Sequence, residues 1–155
     1  MKKSDYLPIS LRVGGRPCLV VGGGTIAHRK VMALLAAGAE VTVVSPALTP
    51  ELQQLAVEGG LVYQEANFCT DYLEGVFLVF AATNDKDVNR TVLEECQRRG
   101  ILGAAVDSNW TEGDFISAAV LRQGDVVVSI STEGKDCKEA KRVKERLQQW
   151  LGEPE

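Results

Sequence analysis

The chain has 155 residues, 45% hydrophobic and 25% charged, which suits one domain with a buried core and a short extra element. A net charge of -4 excludes broad electrostatic binding of nucleic acid or of an anionic membrane. Cys18, Cys69, Cys96 and Cys137 are scattered without CxxC spacing, which argues against a zinc or iron–sulfur site, so no metal ligand is assigned. Cys18 and Cys96 fall in apolar patterns and read as buried thiols of a reduced compartment. The N-terminus MKKSDYLPISL has two lysines, Lys2 and Lys3, but no apolar run of signal-peptide length, and no later stretch is long enough to span a bilayer. A cytoplasmic location is the expectation.

Strand and helix patterns alternate along the chain. CLVVGG is a short apolar run ending in glycine, and TIAHRKVMALLAAG follows with Ile26, Val31, Leu34 and Leu35 near helical spacing, stopping at Gly38. EVTVVSP is a second strand closed by Pro46. TPELQQLAVEGG is a helix with Thr49 as N-cap and Pro50 at its first position. LVYQEA reads as a weaker strand, GVFLVFAATN as a buried one, DKDVNRTVLEECQRRG as a helix ending at Gly100, and ILGAAVD as a fifth strand. Apolar strands alternating with helices predict a parallel sheet covered on both faces. After Asp107 the rhythm changes. DFISAAVLRQGDVVVSIST reads as a hairpin around Gln123-Gly124. The last helix carries Ala140, Val143, Leu147 and Trp150 or Leu151 on one stripe, with Asp136 and Glu139 resembling a capping box. The expected fold is α/β: a Rossmann-type parallel sheet with helices on both faces over 1–112, then a C-terminal β-hairpin and helix over 113–155.

Gly22-Gly23-Gly24-Thr25-Ile26-Ala27 fits G-x-G-x-x-A between the first strand and the first helix. Gly22 permits the tight turn, Gly24 lets the backbone approach a pyrophosphate, and Ala27 lets the helix pack close. Free N–H groups at the helix start favour phosphate. A turn glycine also serves purely conformational ends, but this context is the one that dinucleotide binding requires. The acidic residue expected at the end of the second strand is replaced by Ser45-Pro46-Ala47, where Ser45 could bond the ribose. No arginine stands there for a 2′-phosphate, so NAD is preferred over NADP.

Ligands of such a sheet bind beyond the carboxyl ends of its strands. Thr83 and Asn84 emerge there and could line the cofactor; Asn84 or Asp85 equally suits the cap of the next helix. Asp107 follows an apolar strand directly, either as a general base at the cleft mouth or as a loop-starting aspartate bonded to its own backbone. His28, the sole histidine, reads as a helix-surface residue. Trp110 and Phe115 suit core positions or an apolar wall for a flat ligand. Arg29, Lys30, Arg90, Arg122 and Lys135 are basic groups that could meet a polyanion or simply remain solvated.

Together these segments resemble the precorrin-2 dehydrogenase family, the N-terminal module of siroheme synthases. The shared pattern runs from Leu7-Pro8 and Gly15-Arg16 through the triple glycine with Ala27, Arg29 and Lys30 to Gly38-Ala39 and Val-Thr-Val. AATND with Asn89, VD ending at Asp107, FISAAVLRQGDVVVSIST and Gly134-Lys135 continue it, so the likeness covers nearly the whole chain. The resemblance implies NAD-dependent oxidation of precorrin-2 to sirohydrochlorin, with cofactor contacts at Gly22, Gly24, Thr25, Ile26, Ser45, Pro46 and Thr83. It assigns Asp107 as the essential aspartate, accepting a proton or steering the pyrrole nitrogens, and it places Thr132 and Lys135 in the loop near the tetrapyrrole. That loop departs from the family's Gly-Gly-Lys-Ser-Pro, reading Glu133-Gly134-Lys135-Asp136-Cys137. Family members also continue past the last helix into a helical segment, whereas this sequence stops at Glu155. Some relatives insert iron or cobalt into the product, so a bifunctional dehydrogenase/ferrochelatase is one alternative. A non-catalytic NAD-sensing module is another. A homodimer is expected, because the apolar stripe of the last helix and the hairpin edge both need partners.

Overall fold

The computed structural model describes residues 4–152; Lys2, Lys3 and Glu155, which figured above, lie outside them. Ile9–Phe115 forms one compact unit, and the residues on either side of it form a second.

In the first unit five parallel strands lie in the order β3-β2-β1-β4-β5: β1 Pro17–Val21, β2 Glu40–Ser45, β3 Val62–Glu65, β4 Leu78–Ala81 and β5 Leu102–Ala105. Helices α1 Thr25–Ala36, α2 Pro50–Val57 and α3 Lys86–Arg99 connect them, with short 3-10 helices at Thr70–Leu73 and Ser108–Glu112. The two-residue side-chain period of a strand divides the core cleanly. Cys18 and Val20 of β1, with Val41, Val43, Leu78 and Phe80, face Ala27, Val31 and Leu34 of α1 and Leu52 of α2. Leu19 and Val21, with Val44, Val79 and Ala81, face Val92, Leu93 and Cys96 of α3 and Leu73 of the first 3-10 helix. A strand buried on both faces has no polar side, which is why these segments read as continuous apolar runs. Each fully buried valine or leucine stabilises by about 1.5–3 kcal/mol.

Local signals set the helix ends. Thr49 accepts from the Leu52 N–H and Pro50 opens α2. Asp85 caps α3 by accepting from the N–H groups of Asp87 and Val88, so the cap belongs to Asp85 and not Asn84. Ile26, read above as part of the apolar face of α1, is 41% exposed; the buried stripe runs through Ala27, Val31 and Leu34, four and three residues apart.

In the second unit β6 Ala119–Gln123 and β7 Val126–Ile130 pair antiparallel, and α4 Cys137–Leu151 packs on both. Gln123 pairs with Val126, so the hairpin turns at Gly124-Asp125, one residue later than expected. Gly124 has φ 55, the left-handed geometry that a two-residue turn demands. Asp136 accepts from the Glu139 N–H, but Glu139 pairs with Arg142 instead of reaching back, so the expected capping box is half made. Ala140 and Leu121 are buried, whereas Trp150 is exposed and Leu151 is the end of the stripe that is half-buried. Among the described residues no helix is long and apolar enough to cross a membrane.

Candidate functional site

The carboxyl edge of the parallel sheet gathers the segments singled out from sequence. The chain leaves β1 toward β2 on one side and, further on, continues from β4 to β5 on the other, so the crevice between β1 and β4 is the switch point at which such sheets hold ligands.

Each glycine of the turn has its own reason. Gly22 has φ 123, and a Cβ there would press on the Ala82 carbonyl and lie 3.1 Å from the Thr83 nitrogen. Gly22 therefore lets β1 and the β4 exit run close together. Gly23, the variable position of the motif, is equally constrained: a Cβ would meet the Ala47 carbonyl, with Ser45 Oγ at 2.8 Å and Leu48 Cδ2 at 2.9 Å. Gly24 differs from both. Its backbone is extended, at φ -87 and ψ -172, and a Cβ would meet nothing within 4 Å. It is the N-cap of α1, yet no side chain caps that end and no acidic residue lies in the first turn. The His28 N–H closes the first helical bond on Gly24 O at 2.9 Å, leaving the N–H groups of the first turn without intrahelical partners. Exposed Gly24, Thr25 and Ile26, with open space before them, fit a pyrophosphate.

Ser45 is buried, at 8% exposure, and its hydroxyl donates to Ala47 O at 2.7 Å. It anchors the loop after β2 and keeps only acceptor capacity for a ribose hydroxyl, while Pro46 is exposed. Tyr63 supports the same loop by donating to Ser45 O at 3.0 Å.

The other half of the edge is a connected network. The Thr83 hydroxyl donates to Asn89 Oδ1 at 2.7 Å, and the Thr83 N–H donates to the same oxygen at 3.1 Å. Asn89 Nδ2 donates to Thr83 O at 3.0 Å and to Asp107 Oδ2 at 2.8 Å. Asp107 also accepts from the Asn109 N–H at 2.9 Å, which makes it the N-cap of the second 3-10 helix. Asn109 Nδ2 donates to Lys86 O at 2.9 Å and approaches Asp107 Oδ2 at 3.4 Å. Asn89 and Asn109 are both buried, at 0% and 5% exposure, and sequence reasoning assigned neither a role. The signal for Asn89 was available: it lies four residues before Leu93 on the stripe that α3 buries, where a polar residue needs a partner.

Gly22, Gly24, Thr25, Ile26, Ser45, Pro46, Thr83 and Asp107 thus belong to one unit and one sheet edge. Thr132 and Lys135 belong to the other unit. The Thr132 hydroxyl donates to Asp136 O at 2.9 Å and accepts from the Asp136 N–H at 3.0 Å. Lys135 pairs with Glu133 at 2.6 Å, which pushes the lysine's pKa up, and Glu133 stands at φ 54, in the left-handed region. Phe115 packs edge-on against Phe80, with ring centroids 5.3 Å apart, and is partly buried against the core. Arg90 is committed to Asp87.

A family model described as "Putative NAD(P)-binding" matches residues 9–119. The siroheme synthase of Photorhabdus laumondii is 42% identical over 147 residues, covering 95% of this chain and 31% of that protein. Siroheme synthase 1 of Aeromonas salmonicida is 41% identical over the same length and with the same shares. The chain therefore spans about a third of the length of the curated relatives it matches. Among solved structures, SirC, a precorrin-2 dehydrogenase, superposes with a TM-score of 0.82 at 32% identity, over 96% of this chain and 72% of SirC.

Proposed function

This chain belongs to the precorrin-2 dehydrogenase family of NAD(P)-binding proteins, and from that premise we propose that it oxidises precorrin-2 to sirohydrochlorin with NAD as acceptor. The observation that carries the reading is the joining of the open, uncapped start of α1 to Asp107 through Gly22, Thr83 and Asn89 along one sheet edge.

When bound, NAD supplies a hydride acceptor. Gly24, Thr25 and Ile26 hold its pyrophosphate on free N–H groups, Ser45 and Pro46 border its ribose, and Thr83 lines its path. No arginine stands after β2 to receive a 2′-phosphate, which is the ground for NAD over NADP. Asp107 accepts the proton that the substrate loses as it gives up hydride. A carboxylate offers about four lone-pair sites, and three donors already occupy Asp107, which leaves room for one incoming N–H or C–H proton. Thr132 and Lys135 are the proposed substrate contacts, with Lys135 exchanging Glu133 for a substrate carboxylate. In this reading 1–112 carries the cofactor and 113–155 serves dimerisation and the substrate site. Val126 and Val127 on the hairpin and Trp150 on α4 are exposed apolar groups that a homodimer would cover. Four free thiols suit the reducing cytoplasm.

Separate titrations of NADH and sirohydrochlorin, followed by fluorescence, test the reading. Both are expected to bind. Binding of the dinucleotide alone would favour a sensing module, and a tetrapyrrole-dependent metal insertion that needs no dinucleotide would favour a chelatase.

A further inference from the structure

We infer that Asn89 is a positioning residue: it fixes the Asp107 carboxylate in one orientation and ties that orientation to Thr83 in the loop after β4. The inference rests on the dehydrogenase reading for its catalytic consequence, but not for the geometry.

Asn89 is fully buried in α3, a helix whose other buried side chains are Val92, Leu93 and Cys96. A side-chain amide has two donors and two acceptor sites, and here all four are used: three bonds go to Thr83 and the fourth to Asp107. The partners also settle which way the amide faces. The Thr83 N–H must meet an oxygen, and the Asp107 carboxylate must meet the NH2 group. A leucine in its place would fill the helix face but leave the Thr83 N–H and carbonyl without their partner and take from Asp107 its 2.8 Å donor. Asp107 is held from its other side by the Asn109 N–H at 2.9 Å, so rotation of its carboxylate breaks both of these bonds together with the longer one from Asn109 Nδ2. The chain thus presents one edge of Asp107 outward. A displacement of Thr83 when the dinucleotide binds reaches Asp107 through a single side chain.

Asn89→Asp keeps the size of the side chain and the oxygen that accepts from the Thr83 N–H and hydroxyl, while replacing the NH2 group that donates to Asp107 and to the Thr83 carbonyl with an acceptor. The expected result is a fall in kcat of about thirtyfold or more, with the Kd for NADH unchanged within about threefold. Equal losses in kcat and in NADH affinity, or an unchanged kcat, would overturn the inference. A second measurement needs neither turnover nor that variant. In 15N-labelled wild type the two Asn89 side-chain N–H protons should exchange slowly with water, and Asp107→Ala should raise the exchange of one of them at least about tenfold. Signals that ignore Asp107→Ala would show that Asn89 does not hold the carboxylate. Slow exchange in a protein that fails to oxidise precorrin-2 would keep the positioning geometry and sink the dehydrogenase reading instead.

Discussion

Alanine at each of the three consecutive glycines separates what the fold needs from what the cofactor needs. At Gly22 the backbone has φ 123, and a Cβ would press on the Ala82 carbonyl and stand 2.6 Å from its carbon. Strain at such an angle costs about 1–3 kcal/mol, and forcing a methyl against backbone costs about 1–3 kcal/mol more. With a melting shift of about 2–4 °C per kcal/mol for a chain of this length, Gly22→Ala should lower Tm on the order of 10 °C. Gly23→Ala lacks the angular strain but meets the Ala47 carbonyl, Ser45 Oγ and Leu48, so it should lose about half as much. Gly24→Ala enters open space with an ordinary extended backbone and should change stability by less than about 1 kcal/mol. The same methyl stands where the pyrophosphate has to approach, so Gly24→Ala should weaken NADH binding at least about tenfold, roughly 1.4 kcal/mol. Thermal melts followed by circular dichroism, beside NADH fluorescence titrations of the folded variants, read both quantities. A Gly24→Ala protein that melts normally and binds NADH as wild type does would refute the placement of the dinucleotide on this turn.

Further expectations concern single side chains. Asp85→Ala removes the cap of α3 and should cost about 1 kcal/mol, read as a Tm lower by about 2–4 °C. Dithionitrobenzoate at neutral pH should label Cys69 and Cys137 quickly, with Cys18 and Cys96 reacting only on unfolding, since the first pair is exposed and the second buried. Burial pushes the Cys96 thiol up to about 12 from 9.0, so the folded form keeps its proton where the unfolded form loses it. That contribution is intact below pH 9.0 and lost as pH rises toward about 12. Urea melts of wild type should therefore weaken across that range more steeply than those of Cys96→Ala.

The parallel sheet was legible because its strands are buried on both faces and its helices carry ordinary punctuation. Pro50 after Thr49, Asp85 before α3 and Gly100 after it each act locally, within a turn of where they stand. Failures came where a decision was not local. The hairpin turn moved to Gly124-Asp125 because strand pairing, which joins Gln123 to Val126, sets the register. The two 3-10 helices escaped notice because one turn of helix has no periodicity to read. The constraint on Gly23 had no local signal, because its crowding comes from Ser45, Ala47 and Leu48, more than twenty residues away. Asp107 was visible by its place after an apolar strand. The burial of Asn89 was signalled by its place on the α3 stripe, but its bond to Asp107 was not, because 18 residues separate them in sequence.

The central claim is best tested by anaerobic turnover of enzymatically made precorrin-2 with NAD, following NADH formation and the sirohydrochlorin absorbance together, for wild type and Asp107→Ala. Equal amounts of NADH and sirohydrochlorin from wild type, with turnover lost in an Asp107→Ala protein that still binds NADH, is the predicted result. Wild-type protein that binds NADH but leaves precorrin-2 unoxidised would contradict it.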